Sequence, residues 1–303
     1  MDGDDGDDGA AEPVLVTPDL LRKWGLPGPG GDKEAKGRLL VVGGSESTPG
    51  AVLLAAEAAL RSGAGKVQVA TTASTAPHVA TALPEGLVVG LPARDGEIAP
   101  TAADRVLELA EGADAVLAGP GLAGPDAAVA LLEALVPDLD TVLALDALGT
   151  VFVTAHPDGL RHLADRALVT VNATELAAVL GEDPDTVGED QLGATRRAAR
   201  RLGVAVLSGA DVSYAVAASG RAWRVEAGAP GAAVAGSGDV KAGAVAALLA
   251  RGEQPVRAAA IGAYLHGRTG EVLTGTVGQV GILAREVAAA LPRTLAELRA
   301  AGP

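Results

Sequence analysis

A series of short apolar runs, each closed by glycine or a polar residue, constrains this chain more than any other feature. Arg38–Val42 is a continuous apolar run, and Lys66–Ala70, Asp114–Ala118, Thr141–Leu145, Leu168–Val171 and Val204–Leu207 are predominantly apolar stretches, all of strand length. Runs of this kind read as strands buried on both faces. Helical stretches lie between them, among them Ala51–Arg61, Ala102–Ala110, Pro125–Leu135 and Asp190–Leu202. Strands alternating with helices predict an α/β fold with a largely parallel sheet covered on both sides. Val212–Val216 and Ala222–Glu226, on either side of Ala218-Ser219-Gly220-Arg221, predict a β-hairpin at the sheet edge, across which Tyr214 and Trp223 would face each other. Beyond Gly228 the chain reads as almost wholly helical to Leu298.

Within the 303 residues no Pro/Ser linker or composition shift divides residues 14–303, which read as a single domain. Residues 1–13, with five Asp and one Glu in the first dozen, read as a disordered acidic tail without the basic start of a signal peptide. Hydrophobic residues make up 49% of the chain while aromatics make up only 2%, so the core must be built from Ala, Val and Leu. Cysteine is absent, which excludes disulfides, thiol catalysis and thiolate metal sites. The four histidines, His78, His156, His162 and His266, are too scattered for a multi-His zinc centre. A net charge of −14 argues against nucleic acid and anionic membrane surfaces as partners. No apolar stretch reaches membrane-spanning length without interruption, so a cytoplasmic location is expected. The apolar helices between Ala242 and Leu273 are the candidate interface of an expected homo-oligomer.

Chemistry is concentrated at Gly236-Ser237-Gly238-Asp239-Val240, which opens an unbroken apolar helix. A Gly/Ser turn entering a helix leaves backbone N–H groups directed at an anion, with the positive end of the helix behind them. Asp239 stands where turn meets helix. It reads either as an N-terminal cap or as a base that takes a proton from a hydroxyl nucleophile beside phosphates.

The other polar and glycine-rich residues fall just after the strands: Gly43-Gly44-Ser45, Gly119-Pro120-Gly121, Asp146, Asn172 to Glu175, and Ser208-Gly209. Ligands of open parallel sheets bind beyond those strand ends. None of these segments has the spaced glycines of a dinucleotide fingerprint or the Gly-Lys-Ser/Thr of a Walker loop. Asn172 and Glu175 read either as a capping box or as part of a water-rich magnesium site. His266 lies on an apolar helix face and reads as packing.

Taken in order, these segments resemble the ADP/ATP-dependent NAD(P)H-hydrate dehydratases, a branch of the ribokinase-like superfamily. The likeness is carried by Val16–Leu21, Gly37–Ser45, Gly50–Gly65, Leu83-Pro84-Glu85, Ala113–Leu122, Pro230–Gly243 and Gly281–Glu286. It implies a ribokinase-like three-layer α/β/α fold with a central mainly parallel sheet. It also implies nucleotide-dependent repair of hydrated NADH or NADPH, with ADP or ATP as co-substrate and Mg2+ as metal. Asp239 would be the catalytic base, and Gly236, Ser237 and Gly238 the anion hole. Ala51, Gly121, Asn172 and Asp239 would line the substrate pocket. Ser208, Gly209, Ala210, Asp211, Val212, Gly238 and Lys241 would hold the nucleotide, with Glu175 toward the metal.

The chain departs from the family pattern in several places. Thr48 stands where Tyr is usual. Thr170-Val171-Asn172-Ala173-Thr174-Glu175 replaces Thr-Pro-His-x-Gly-Glu and looks like the sugar and vitamin kinases of the superfamily. Asp146-Ala147-Leu148-Gly149-Thr150 replaces Asp-Ala-x-Ala-Leu. Ser208 replaces a lysine, and Lys241 replaces a leucine. The last two changes read either as Lys241 restoring the cation lost at Ser208 or as a Lys241 that simply points to solvent. A small-molecule kinase and a nucleotide-binding pseudoenzyme of the same fold are the alternative readings.

Overall fold

The structure is a computed structural model that describes residues 11–28, 30–209 and 212–300. Its strands are β1 (Val14–Leu15), β2 (Arg38–Val42), β3 (Lys66–Thr72), β4 (Leu87–Leu91), β5 (Ala93–Arg94), β6 (Glu97–Ile98), β7 (Ala115–Ala118), β8 (Val142–Leu145), β9 (Ala167–Val171), β10 (Ala205–Gly209), β11 (Ser213–Val216) and β12 (Ala222–Val225). The helices are α1 (Pro18–Trp24), α2 (Pro49–Arg61), α3 (Ala76–Ala82), α4 (Ala103–Ala110), α5 (Pro125–Leu135) and α6 (Val151–Ala155). They continue with α7 (Ala173–Leu180), α8 (Pro184–Glu189), α9 (Gln191–Leu202), α10 (Ser237–Ala250), α11 (Pro255–Thr276) and α12 (Ala284–Ala300).

The main sheet has the order β1-β12-β11-β10-β9-β8-β7-β2-β3-β4. Only β11 runs against its neighbours. The hairpin β11–β12 lies toward one edge, with the two-residue β1 added outside it, parallel to β12. Tyr214 and Trp223 do not face each other. Tyr214 pairs with Arg224, and Trp223 with Ala215. The one-residue offset puts the two rings on opposite faces, and Trp223 instead meets Trp24 edge-on with ring centroids 6.0 Å apart. The sequence reading passed over α3, α8 and the small hairpin β5–β6. The hairpin turns at Asp95-Gly96, both at positive φ (54° and 80°), the Asp-Gly signal of a tight turn.

The apolar runs serve both faces of the sheet by simple alternation. Leu40, Val42, Val116, Ala118, Leu143, Leu145, Val169 and Val171 belong to the core that includes residues of α4, α5, α7 and α9. Leu39, Val41, Val67, Val69, Ala115, Leu117, Ala144 and Leu168 belong to the core shared with α2, α10 and α11. Three layers follow from that two-residue period.

Helix α10 is apolar all round because it is enclosed all round. Every residue from Ala242 to Ala250 is buried, and α10 packs against α2, α11 and α12. A side chain at Gly243 would run into the backbone carbonyl of Ala55, so the closest approach of α10 to α2 depends on a residue without Cβ. The apolar residues expected at a subunit interface are therefore largely taken up inside the fold. Exposed large apolar side chains occur at Val14, Leu15 and Leu87 and, between α11 and α12, at Val277, Val280 and Leu283. No helix among the described residues is long and apolar enough to cross a membrane.

Sequence order reverses direction between β2 and β7: β3 and β4 follow on one side, β8, β9 and β10 on the other. The crevice beyond this reversal is where open parallel sheets place ligands.

Candidate active site

The loops after β2 and β7 are fastened together at the reversal point. Thr48 Oγ1 donates to Gly121 O at 2.6 Å and lies 2.7 Å from Ser45 Oγ. Gly121 has φ +71°, and a Cβ there would come within 2.6 Å of Thr48 O and 3.0 Å of the Ala51 methyl. The expected substrate residues Ala51 and Gly121 are thus brought into contact, although neither lines the cleft around Asp239.

That cleft, of about 240 Å³, is walled by Asp146 and Ala147 after β8, Thr170–Asn172 and Glu175 at β9 and α7, and Gly236, Gly238, Asp239 and Lys241 at the start of α10. Gly236 forms the cap of α10 in the left-handed region (φ 84°), with no side chain capping the helix. The Ser237 N–H is committed to Val234 O at 3.0 Å. It therefore does not contribute to an anion hole as expected from the sequence. Among the described residues the amides of Gly236, Gly238 and Asp239 make no hydrogen bond, and all three residues line the cleft, the last two at the positive end of a fourteen-residue helix. Burial raises the Asp239 carboxyl to about 6. It does not cap α10, so the capping reading does not describe this residue.

Asp146 is buried, accepts a hydrogen bond from Thr170 Oγ1, and is raised by burial to about 7 despite that bond. Ala147 beside it has φ 50°, a conformation that costs a residue with Cβ about 1–2 kcal/mol. Strain of this kind is concentrated at functional sites. Asn172 and Glu175 form a capping box: Asn172 Oδ1 accepts from Glu175 N and Glu175 Oε2 accepts from Asn172 N, both at 2.9 Å. The Asn-x-x-Glu spacing is thereby explained by the start of α7. Glu175 nonetheless still lines the cleft, and burial raises its pKa.

A second cavity of about 500 Å³ adjoins, lined by Gly209, Ser213, Ala227–Pro230, Ala232, Ala233, Ser237, Lys241, Ala263, His266 and Gly267. His266, read from the sequence as packing, stands in its wall with Nε2 2.9 Å from Ser237 Oγ. Burial, together with the nearby charge of Lys241, lowers His266 to about 3, so the imidazole is neutral. No spacing in the chain announced this pair, which is separated by 29 residues.

The expected nucleotide residues divide. Gly209 lines the second cavity. The Ser208 side chain does not: its hydroxyl accepts from Thr195 Oγ1 at 2.7 Å and Gln191 Nε2 at 3.0 Å, on the α9 side of the sheet. Alternation along β10 turns Ser208 away from the side that holds Leu207 and α10. Val212 offers its carbonyl to the same Gln191. Ala210 and Asp211 lie outside the described residues. Among the described residues Lys241 alone lines both cavities and is the only cationic side chain in either wall. Its Nζ lies against Gly209, 2.6 Å from where a Cβ on that residue would be. Burial lowers the Lys241 pKa, while Asp146 and Glu175 act to raise it.

A three-layer parallel α/β sandwich with a glycine turn, an acid and free amides at one helix start defines a ribokinase-like protein. A crystal structure of a ribokinase-like protein from Enterococcus faecalis matches 94% of this chain with a TM-score of 0.76 at 22% identity and 96% of that chain covered. The ADP/ATP-dependent NAD(P)H-hydrate dehydratase from Bacillus subtilis, co-crystallised with ATP/Mg2+, matches 95% of this chain and 100% of its own with a TM-score of 0.77 at 24% identity. The family model for NAD(P)H-hydrate dehydratase matches residues 39–293, and the chain belongs to that family. The ADP-dependent (S)-NAD(P)H-hydrate dehydratase of Xanthomonas campestris is 41% identical over 286 residues, covering 93% of this chain and 96% of that protein. A bifunctional NAD(P)H-hydrate repair enzyme of Escherichia coli is 34% identical over 275 residues, and the match covers 50% of its length.

Proposed function

We propose that this chain is an ADP-dependent NAD(P)H-hydrate dehydratase that acts at the start of α10. The observation that carries the reading is Asp239, held at about 6 by burial, beside two unpaired amides of a helix start. A carboxylate of that basicity is mostly ionised at neutral pH and still able to accept a proton.

The hydroxyl of the hydrated nicotinamide ring gives its proton to Asp239 as its oxygen bonds to the terminal phosphorus of ADP. The bridging P–O bond of ADP breaks and AMP leaves. The amides of Gly238 and Asp239 hold the charge on the phosphoryl oxygens in transit. The carbon–oxygen bond of the phosphorylated ring then breaks, phosphate departs, and the neighbouring carbon loses a proton to restore NADH or NADPH. The balance is hydrate plus ADP giving NAD(P)H, AMP and phosphate.

The larger cavity takes the AMP portion, between Gly209 and His266, with Lys241 facing the phosphates. The hydrate enters the smaller cleft, where Asn172 and Asp239 stand in the wall. Mg2+ fits this arrangement. Glu175 has one oxygen bonded to Asn172 N and lines the cleft, and no group of three acidic or histidine side chains forms a closed cage among the described residues. That pattern suits a magnesium ion held mainly by phosphate oxygens and water, whose chemistry is to neutralise phosphate charge.

Incubating hydrated NADH with ADP, or with ATP, and Mg2+ tests the reading. Return of the near-ultraviolet absorbance of the dihydronicotinamide ring, with AMP or ADP released in equal amount, is the expected result. A folded protein that releases neither overturns it. Nucleotide turnover on a different hydroxyl compound, with a stable phosphate ester as product, would mark a kinase instead. The Asn-x-x-Glu feature that pointed to a kinase is accounted for as a helix cap.

A further inference from the structure

Both cavity walls carry an unbalanced electrostatic arrangement at one point. Asp146, Glu175 and Asp239 line the smaller cleft, and a polyphosphate would bring further negative charge to its boundary with the larger one. Among the described residues a single cationic side chain stands there to meet it, Lys241. It has no salt bridge among the described residues; burial lowers its pKa, and the charges of Asp146 and Glu175 oppose that only in part. A half-buried ammonium with no ion pair among the described residues is favoured by the arrival of an anion.

We propose that Lys241 is a built-in counter-cation for the phosphates of the bound nucleoside diphosphate, so that ADP binds this protein with little dependence on a divalent metal ion. The proposal rests on the reading of the larger cavity as the nucleotide site. The ammonium lies against Gly209, between that cavity and the cleft that holds Asp239, where the bond between the two phosphates must lie for transfer to occur. A divalent ion on the Glu175 side of the phosphates would face the same ammonium. Like charges repel, so a metal there adds less to ADP affinity than it would at a site without the lysine. The flexible stem of lysine lets the ammonium follow the phosphate as it moves between the cavities.

Isothermal titration of the intact protein with ADP, in EDTA and again in excess Mg2+, tests the proposal. The wild-type dissociation constant is expected to change by less than about threefold between the two, and Lys241→Met to bind at least about tenfold more weakly than wild type in EDTA, a difference of about 1.4 kcal/mol. Mg2+ should recover part of that loss in Lys241→Met. Wild-type binding that weakens about tenfold or more in EDTA overturns the proposal, as does a Lys241→Met affinity equal to wild type there. If Lys241→Met does not fold, the two wild-type titrations decide alone. Absence of ADP binding in both conditions would defeat the nucleotide-site reading itself. Metal-independent binding without restoration of hydrated NADH would defeat only the dehydratase assignment.

Discussion

Replacing Asp239 by Asn should make the protein more stable while removing its activity. The side chain keeps its shape and loses its charge. In the folded protein burial raises the carboxyl to about 6 from an ordinary 3.8. An acid whose folded pKa lies above its unfolded value binds its proton more tightly in the fold. The stability it lends is full below about pH 4 and is lost as pH rises through about 6. Above that range the ionised Asp239 costs the fold about 3 kcal/mol, and near pH 4 only a small part of that. Asn removes that cost, and with it the attraction of a carboxylate to a helix N-terminus, about 0.3–1 kcal/mol. A net gain of about 2 kcal/mol is expected at about pH 8, which corresponds to several degrees in Tm for a chain of this size. The gain should nearly vanish at about pH 4. Loss of a general base lowers kcat by roughly a hundred- to ten-thousandfold. The wild-type rate should itself fall about tenfold between about pH 7 and about pH 5, whereas a base of ordinary Asp pKa would keep about nine-tenths of its rate. Thermal unfolding across pH and the dehydration assay supply both readouts. An Asp239→Asn protein that keeps more than about a tenth of the activity refutes the catalytic role. One that melts below wild type at both pH values refutes the burial argument.

Three further outcomes follow from the same geometry. Gly243→Val drives a side chain into the Ala55 carbonyl and should separate α10 from α2, at a cost of about 3 kcal/mol or more, read as a lowered urea midpoint or loss of soluble protein. Asn172→Ala breaks the capping box of α7 and should cost about 1 kcal/mol in urea unfolding. Ser208→Ala removes the acceptor that Thr195 and Gln191 share, while each keeps another, and should destabilise by about 0.5–1.5 kcal/mol, with ADP affinity by titration within about twofold of wild type.

Much of the architecture was legible in the chain because it depends on local pattern. Apolar runs of strand length spaced by helices specify a parallel sheet, and the two-residue period assigns each strand residue to one face or the other. The glycine turn before Asp239 and the capping box at Asn172 are likewise local, complete within a few residues. Where the local cue was weak the reading failed. Strand β1 is two residues long and owes its existence to pairing with β12, more than 200 residues away.

At the site itself, the sequence by itself determined the kinds of group available: an acid at a helix start, an unexpected lysine two residues after that acid, and a serine where a cation was due. Which groups meet was decided only by tertiary structure. Ser208 turns to Thr195 and Gln191 because of its parity on β10, and the lysine two residues after Asp239 reaches Gly209. His266 meets Ser237 because α11 lies against the start of α10. The carboxyls of Asp146 and Asp239, ordinary in an unfolded chain, become bases near neutrality only when the layers close over them. Pattern sets which face of an element is buried. Contacts between elements, and the loss of water they impose, fix the charge a side chain carries and the partner it meets.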